Sequence, residues 1–196
     1  MRRLTLIALL IITSFTGYSQ LYKKTIEKQF LTYTNHLVEK DFKGACNYII
    51  EDFFKIIPRD QLVLMMEKTF NNPDIEFAID SPKIIKIEDS RKFNANDYAR
   101  LQYSNLLRMK FIIPKEDGET VSEEEKEMTT SLTKANLEKT FGDRNVRYDA
   151  ATGYFTIFSI KDVVATSADG EKWKFVVVEE KQKPILSKFL PKEMLR

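Results

Sequence analysis

The chain has 196 residues, 43% of them hydrophobic and 31% charged, and is long enough for one domain to bury a core without disulfide staples. With Arg2 and Arg3 set aside as part of a leader, the basic side chains equal the 29 acidic ones, which excludes a long-range field that would recruit nucleic acid or anionic lipid. A single cysteine, Cys46, closes no intramolecular bridge, and no cysteine follows the leader to carry a lipid anchor.

Arg2 and Arg3, the apolar run Leu4 to Phe15 and the small residues Gly17 and Ser19 before Gln20 form an export signal. The run is shorter than the roughly 18 apolar residues a membrane span needs. The reading is therefore a cleaved signal over 1–19 and a single domain over 20–196. The mature protein is expected to be soluble, periplasmic or secreted, and free of the membrane.

From Tyr22 to Phe42, Ile26, Phe30, Tyr33 and Leu37 recur at steps of four, three and four, one stripe of an amphipathic helix. Gly44 marks a break, and Ala45 to Ile57 continue at helical spacing up to Pro58. Cys46 falls there with Phe42, Ile49 and Phe53, which makes it a small core hydrophobe. Pro58 opens a third helix with Leu62, Met65, Met66, Thr69 and Phe70 inward, and Asn71-Asn72-Pro73 stops it.

The period then changes. Ile75 to Ile87 and Tyr98 to Ile113 are rich in β-branched and aromatic residues and read as strands. In the second, Leu101, Tyr103, Leu107, Met109, Phe111 and Ile113 share one face, while Arg100, Gln102, Ser104, Arg108 and Lys110 share a wet one. Pro114 to Thr120 is a polar loop, and Ser122 with Glu125 forms a capping box that opens a helix to Phe141, ended by Gly142. Its acidic start suits the positive end of a helix dipole rather than a metal cluster. Strands follow at Val146 to Tyr148, Tyr154 to Val164 and Lys172 to Glu180, joined by turns at Asp149 to Gly153 and Ser167 to Gly170, so the sheet reads as a meander. Trp173, Phe175 and Val177 are expected inward, as are Tyr154, Thr156 and Phe158, with Phe155, Ile157, Val176 and Val178 on the opposite face. A tail holding Ile185, Leu186, Phe189, Leu190, Met194 and Leu195 closes one end of the core.

Chemistry is bounded mainly by exclusion. The glycines at positions 17, 44, 118, 142, 153 and 170 form no phosphate-cradling or dinucleotide loop, and no Gly-x-Ser-x-Gly elbow is present. One cysteine and one histidine offer no zinc spacing. No cofactor is expected. His36 lies about sixty degrees round the helix from Tyr33, where a pocket-rim group would sit, with no carboxylate partner evident. Asn105 shares the apolar face of its strand, so it must meet a polar neighbour, a water or a ligand unless a bulge near Ser104 to Leu106 turns it outward.

Three opening helices, the phrase Glu39-Lys40-Asp41-Phe42-Lys43-Gly44-Ala45 between the first two and a following curved sheet resemble the NTF2-like, cystatin-related α+β cone over about Tyr22 to Glu180. The Trp173-Lys174-Phe175 strand followed by Leu190-Pro191 is similar to small exported proteins of Bacteroidota. The resemblance implies helices packed on one face of a curved, mainly antiparallel sheet, with Ser122 to Phe141 as an extra helix inserted between strands. It implies a conical pocket whose candidate lining is Tyr33, His36, Leu37, Tyr103, Asn105, Met109 and Trp173. Members use such a pocket for isomerase, dehydratase or hydrolase chemistry, for ligand binding, or only for packing. The isomerase members pair a carboxylate base with a tyrosine and a protonated acid; here the inward strand positions supply no such acids.

Three functions follow as expectations. The first is a non-catalytic exported domain holding a small apolar or amphipathic ligand in its cone. The second is an interaction or homodimerisation module with a closed core, and the third a small hydrolase or isomerase using His36.

Overall fold

The computed structural model describes residues 21–112 and 122–196. The signal read at 1–19, Gln20, Ile113 and the loop read at Pro114 to Thr120 lie outside the described residues. Helix α1 (21–38) buries Ile26, Phe30 and Tyr33, the stripe expected from its spacing. It ends in a Schellman motif: the Asp41 N–H donates to the His36 carbonyl at 2.8 Å and the Lys40 N–H to that of Leu37 at 3.2 Å. Lys40 takes the left-handed conformation this requires, with φ of 60°.

Helix α2 (Phe42–Cys46) follows directly, with Gly44 inside it rather than marking a break. The single helix expected to Ile57 does not form. Tyr48 O accepts from the Phe175 N–H at 2.6 Å and the Ile50 N–H donates to Phe175 O at 3.2 Å, so these groups serve a sheet edge and cannot serve a helix. A 3₁₀ turn (Glu51–Lys55) then leads to α3 (Arg59–Phe70). Val63 is buried there, with Leu62, Met66 and Phe70 packed beside it; Met65, expected inward, is 50% exposed.

The sheet is antiparallel and six-stranded. Its spine is β3 (Asn96–Phe111) against β5 (Tyr154–Ser167), in unbroken register from Asp97 opposite Ser167 to Met109 opposite Phe155. Strands β1 (Ile75–Ile87) and β2 (Arg91–Phe93) share the outer edge of β3, while β4 (Val146–Asp149) and β6 (Lys174–Val178) share that of β5. The strand order β1-β3-β5-β4 departs from a simple meander because helix α4 (Glu123–Phe141) and β4 intervene between the two spine strands. The capping box of α4 is present, with the Glu125 N–H donating to Ser122 Oγ and the Ser122 N–H to Glu125 Oε2.

Antiparallel partners share a face, so the register sorts the core. On one face, Ala99, Leu101, Tyr103, Val163, Ala165 and Phe175 lie under the N-terminal helices. Further along the same face, Leu107, Met109, Phe155 and Ile157 meet Leu137 and Phe141 of α4. The opposite face is dry at one end too: Tyr98, Val164 and Val176 are covered by Ile50 and by Leu186, Leu190, Met194 and Leu195 of the tail. That tail comprises α5 (Lys183–Leu186) and a final 3₁₀ turn (Lys192–Leu195), and it seals a sheet face rather than the end of the core.

Two expectations are corrected by this register. Phe155 and Ile157 point inward and are buried, whereas Phe158 is 41% exposed, because pairing with Met109 and Leu107 sets the parity of β5. The set Phe155, Ile157, Val176 and Val178 is therefore no free surface: α4 covers two members and the tail packs against the others. Trp173, Phe175 and Val177 do face the N-terminal helices.

Phe175 is 1% exposed, with its ring 5.2 Å from that of Phe30 and 6.2 Å from that of Tyr33. Phe175→Ala is expected to cost about 3–5 kcal/mol, as truncation of a buried aromatic generally does, read as a fall in the urea midpoint at unchanged slope.

Candidate functional site

The interior pocket expected from sequence is occupied by the protein itself. Tyr33, Leu37, Tyr103 and Trp173 meet in the principal core cluster. The Phe30 ring lies edge-on to Tyr103 at 4.9 Å and 5.8 Å from Tyr33, so aromatic side chains fill the space between α1 and the sheet. Burial, the main cause in both, pushes the Tyr33 phenol well above its ordinary range and the Tyr103 phenol up to about 12, so both stay neutral near pH 7. Met109 does not join them; it packs in the α4 cluster.

Asn105 stays inward, opposite Ser159, and is 6% exposed. The β-bulge belongs instead to the neighbouring strand, where β1 shifts register between Asp80 and Lys83, with Ser81 at φ of 50°. That shift leaves Asn105 with no β1 residue opposite it, and its Oδ1 has no hydrogen-bond partner among the described residues. Among the described residues no carboxylate is buried, so the acid pair of an isomerase site is missing from this interior.

The site the structure does build lies at the rim. His36 Nδ1 is 2.9 Å from Asp41 Oδ2, and Asp41 Oδ1 accepts the Gly44 N–H at 2.9 Å as the N-cap of α2. That Gly44 bond first, and His36 second, holds the Asp41 carboxyl below the usual carboxylate range. A Cβ on Gly44 would stand 2.5 Å from His36 Nδ1 and closer still to Asp41 Oδ2, so a side chain there would displace the pair from this geometry. His36 and Asp41 open onto a hollow of about 540 Å³, lined also by Gln29, Asn47, Tyr48, Lys172, Trp173 and Lys174. The Tyr48 ring lies 5.8 Å from the imidazole.

Three local devices fix the far wall. Gln29 on α1 uses both ends of its amide: Oε1 accepts the Trp173 N–H at 2.7 Å and Nε2 donates to Glu171 O at 2.8 Å. Asp169 organises the turn between β5 and β6 by accepting the N–H groups of Glu171 and Lys172, both at 2.8 Å, and its carboxyl falls to about 2 chiefly through these bonds. Lys174 Nζ reaches Asn47 O and lies 3.7 Å from Glu51. The hairpin is thereby clamped to both α1 and the segment after α2.

His36 therefore sits at a rim, as its angle on the helix implies, but with the carboxylate partner that spacing did not reveal. Asp41 is five residues on, beyond the span of one helical turn, and is brought back by the left-handed turn at Lys40. The phrase Asp41-Phe42-Lys43-Gly44, an N-cap followed three residues later by the glycine that bonds it, was the available signal. Lys172, Lys174, Gln29 and Asn47 were not legible as site residues, because strand pairing alone brings the hairpin to α1. Cys46 is buried, and burial raises its thiol above the ordinary range, in keeping with a core role. Among the described residues no group of three His, Cys, Asp or Glu side chains could hold a metal ion, and no helix is long and apolar enough to cross a membrane.

Compared with protein-family models and with curated proteins, the sequence matches none.

An ordinary helical Gly→Ala change gains about 0.5–1 kcal/mol. Gly44→Ala is expected to forfeit that gain and to separate His36 from Asp41. The measurements are the denaturation midpoint and the NMR signal of the imidazole, the chain's one histidine.

Proposed function

We propose that the chain is a non-catalytic, exported NTF2-like domain that holds a small amphipathic molecule, with the binding site at the rim hollow and not inside the cone. The observation that carries this reading is the pairing of a filled interior with an open rim hollow on which the Asp41-oriented imidazole of His36, Lys172, Lys174 and the Tyr48 ring converge. The hollow combines an aromatic wall at Tyr48 with a few fixed polar groups, the mixture such sites use for affinity and orientation. His36 has an orienting carboxylate, but the lining contains no serine, threonine or cysteine to act as a nucleophile and no second carboxylate. Recognition is the role this set of groups fits.

Native mass spectrometry of the purified protein is expected to retain a small molecule that Tyr48→Ala releases, with fluorescence of Trp173, the chain's one tryptophan, changing on its removal. A ligand retained equally by Tyr48→Ala, or none retained in any preparation, counts against the hollow.

A second reading, homodimerisation, is favoured by one surface. On the sheet face opposite the N-terminal helices, beyond the reach of the tail, Phe158 and Ile160 are 41% and 49% exposed, with Leu106 beside Phe158 across the ladder. If two copies pair there, light scattering gives a dimer that Phe158→Lys converts to monomer; a monomer for both proteins removes this reading.

A further inference from the structure

Resting on the rim hollow as the ligand site, we infer that its ligand is an organic anion and that binding is coupled to protonation of His36. Asp41 is the one carboxylate in the lining, and both its oxygens are already engaged, one by the Gly44 N–H and one by His36 Nδ1. The other charged groups of the lining are the ammonium groups of Lys172 and Lys174 on the hairpin. Lys174 is shared with Glu51 and the Asn47 carbonyl, while Lys172 makes no ion pair among the described residues. A molecule entering the hollow therefore meets a free cation and no free carboxylate.

His36 adds the coupling through the chemistry of its two nitrogens. The Asp41 carboxylate is ionised and can only accept, so the proton of neutral His36 resides on Nδ1 and Nε2 carries a lone pair. Nε2 has no hydrogen-bond partner among the described residues, and the side chain is 27% exposed. Neutral His36 thus offers an anion only a lone pair, whereas protonated His36 offers an N–H donor and a positive charge. Imidazole is the ordinary side chain that makes this change between about pH 5 and 8. The groups around it do not reproduce the effect. Asp41, whose carboxyl is held below the usual carboxylate range by the Gly44 N–H, remains an anion across that window. On its own element, Glu39 is exposed and the Lys40 ammonium is turned toward Phe70 O at 3.4 Å.

The test titrates the purified protein with benzoate and benzenesulfonate, whose charges are constant across the window, and with neutral benzyl alcohol, following Trp173 fluorescence and heat at about pH 5.5 and about pH 8. Both anions are expected to bind about five- to tenfold more tightly at the lower pH, as one added charge at contact range in a partly exposed site implies, and benzyl alcohol equally at both. His36→Gln, which cannot take up the proton, is expected to hold the affinity at its higher-pH value throughout, and Lys172→Ala to weaken anions at both pH values. Equal anion affinity at the two pH values, or a pH dependence surviving in His36→Gln, overturns the coupling. Benzyl alcohol binding as tightly as the anions overturns the anion preference while leaving the hollow as a site. No binding of any probe at either pH overturns the site as well.

Discussion

Phe175 meets the N-terminal layer twice, through its backbone at the segment after α2 and through its ring at α1. Its N–H and carbonyl bond Tyr48 and Ile50 as a one-residue parallel bridge, and its ring lies against Phe30 and Tyr33. The bridge fixes how far the helical layer can slide along β6, and the ring fixes how deeply α1 can sit. It also occupies part of an edge strand that would otherwise present unpaired N–H and carbonyl groups. In this register Gln29 reaches Glu171 and Trp173, and Lys174 reaches Asn47. The rim hollow is a consequence of that same docking.

A second constraint comes from the sheet. The β3–β5 spine is long and carries apolar side chains on one face at both ends, interrupted by Asn105, Ser159 and Lys161, and on the other face at one end. No single helix covers that much area, since each turn advances only about 5.4 Å. The chain supplies three coverings in sequence order: α1 to α3, then α4, then the tail. What none of them reaches is the stretch around Leu106, Phe158 and Ile160, where apolar side chains stand in the open.

Local pattern foretold the elements better than it foretold their assembly. The stripe Ile26, Phe30 and Tyr33, the capping box at Ser122 and the strand Ile75 to Ile87 were legible because each is set by neighbours within a few residues. The parity of β5 was not, since Tyr154 to Ser167 is apolar on both faces and only its register against β3 decides which half is buried. The broken second helix failed for the same reason: Ile49, Ile50 and Phe53 look helical by spacing, and the bonds of Tyr48 and Ile50 to a residue more than a hundred positions away leave no trace in it. Of the candidate pocket residues, Tyr33, Leu37, Tyr103 and Trp173 pack together in the principal core cluster. His36 alone faces the hollow as a polar group, and its partner is disclosed by a corner and not by a periodicity.

Asn105 and His36 contrast in how the fold holds a polar side chain. Asn105 is held inward by an unbroken ladder with β5, opposite Ser159 and beside a bulge in β1, and its Oδ1 has no hydrogen-bond partner among the described residues. An unpartnered amide in such a place costs about 1–3 kcal/mol and is more readily met by one water than by a ligand. At the corner after α1, by contrast, backbone geometry produces polar order at little expense. The left-handed turn at Lys40 aims Asp41 back at His36, the N-cap bond holds the carboxylate, and the absence of a Cβ at Gly44 leaves room for both. Because this order is supplied by helix ends and not by a cavity in the core, the domain can keep its interior closed and still present a fixed imidazole, two ammonium groups and an aromatic ring to solvent.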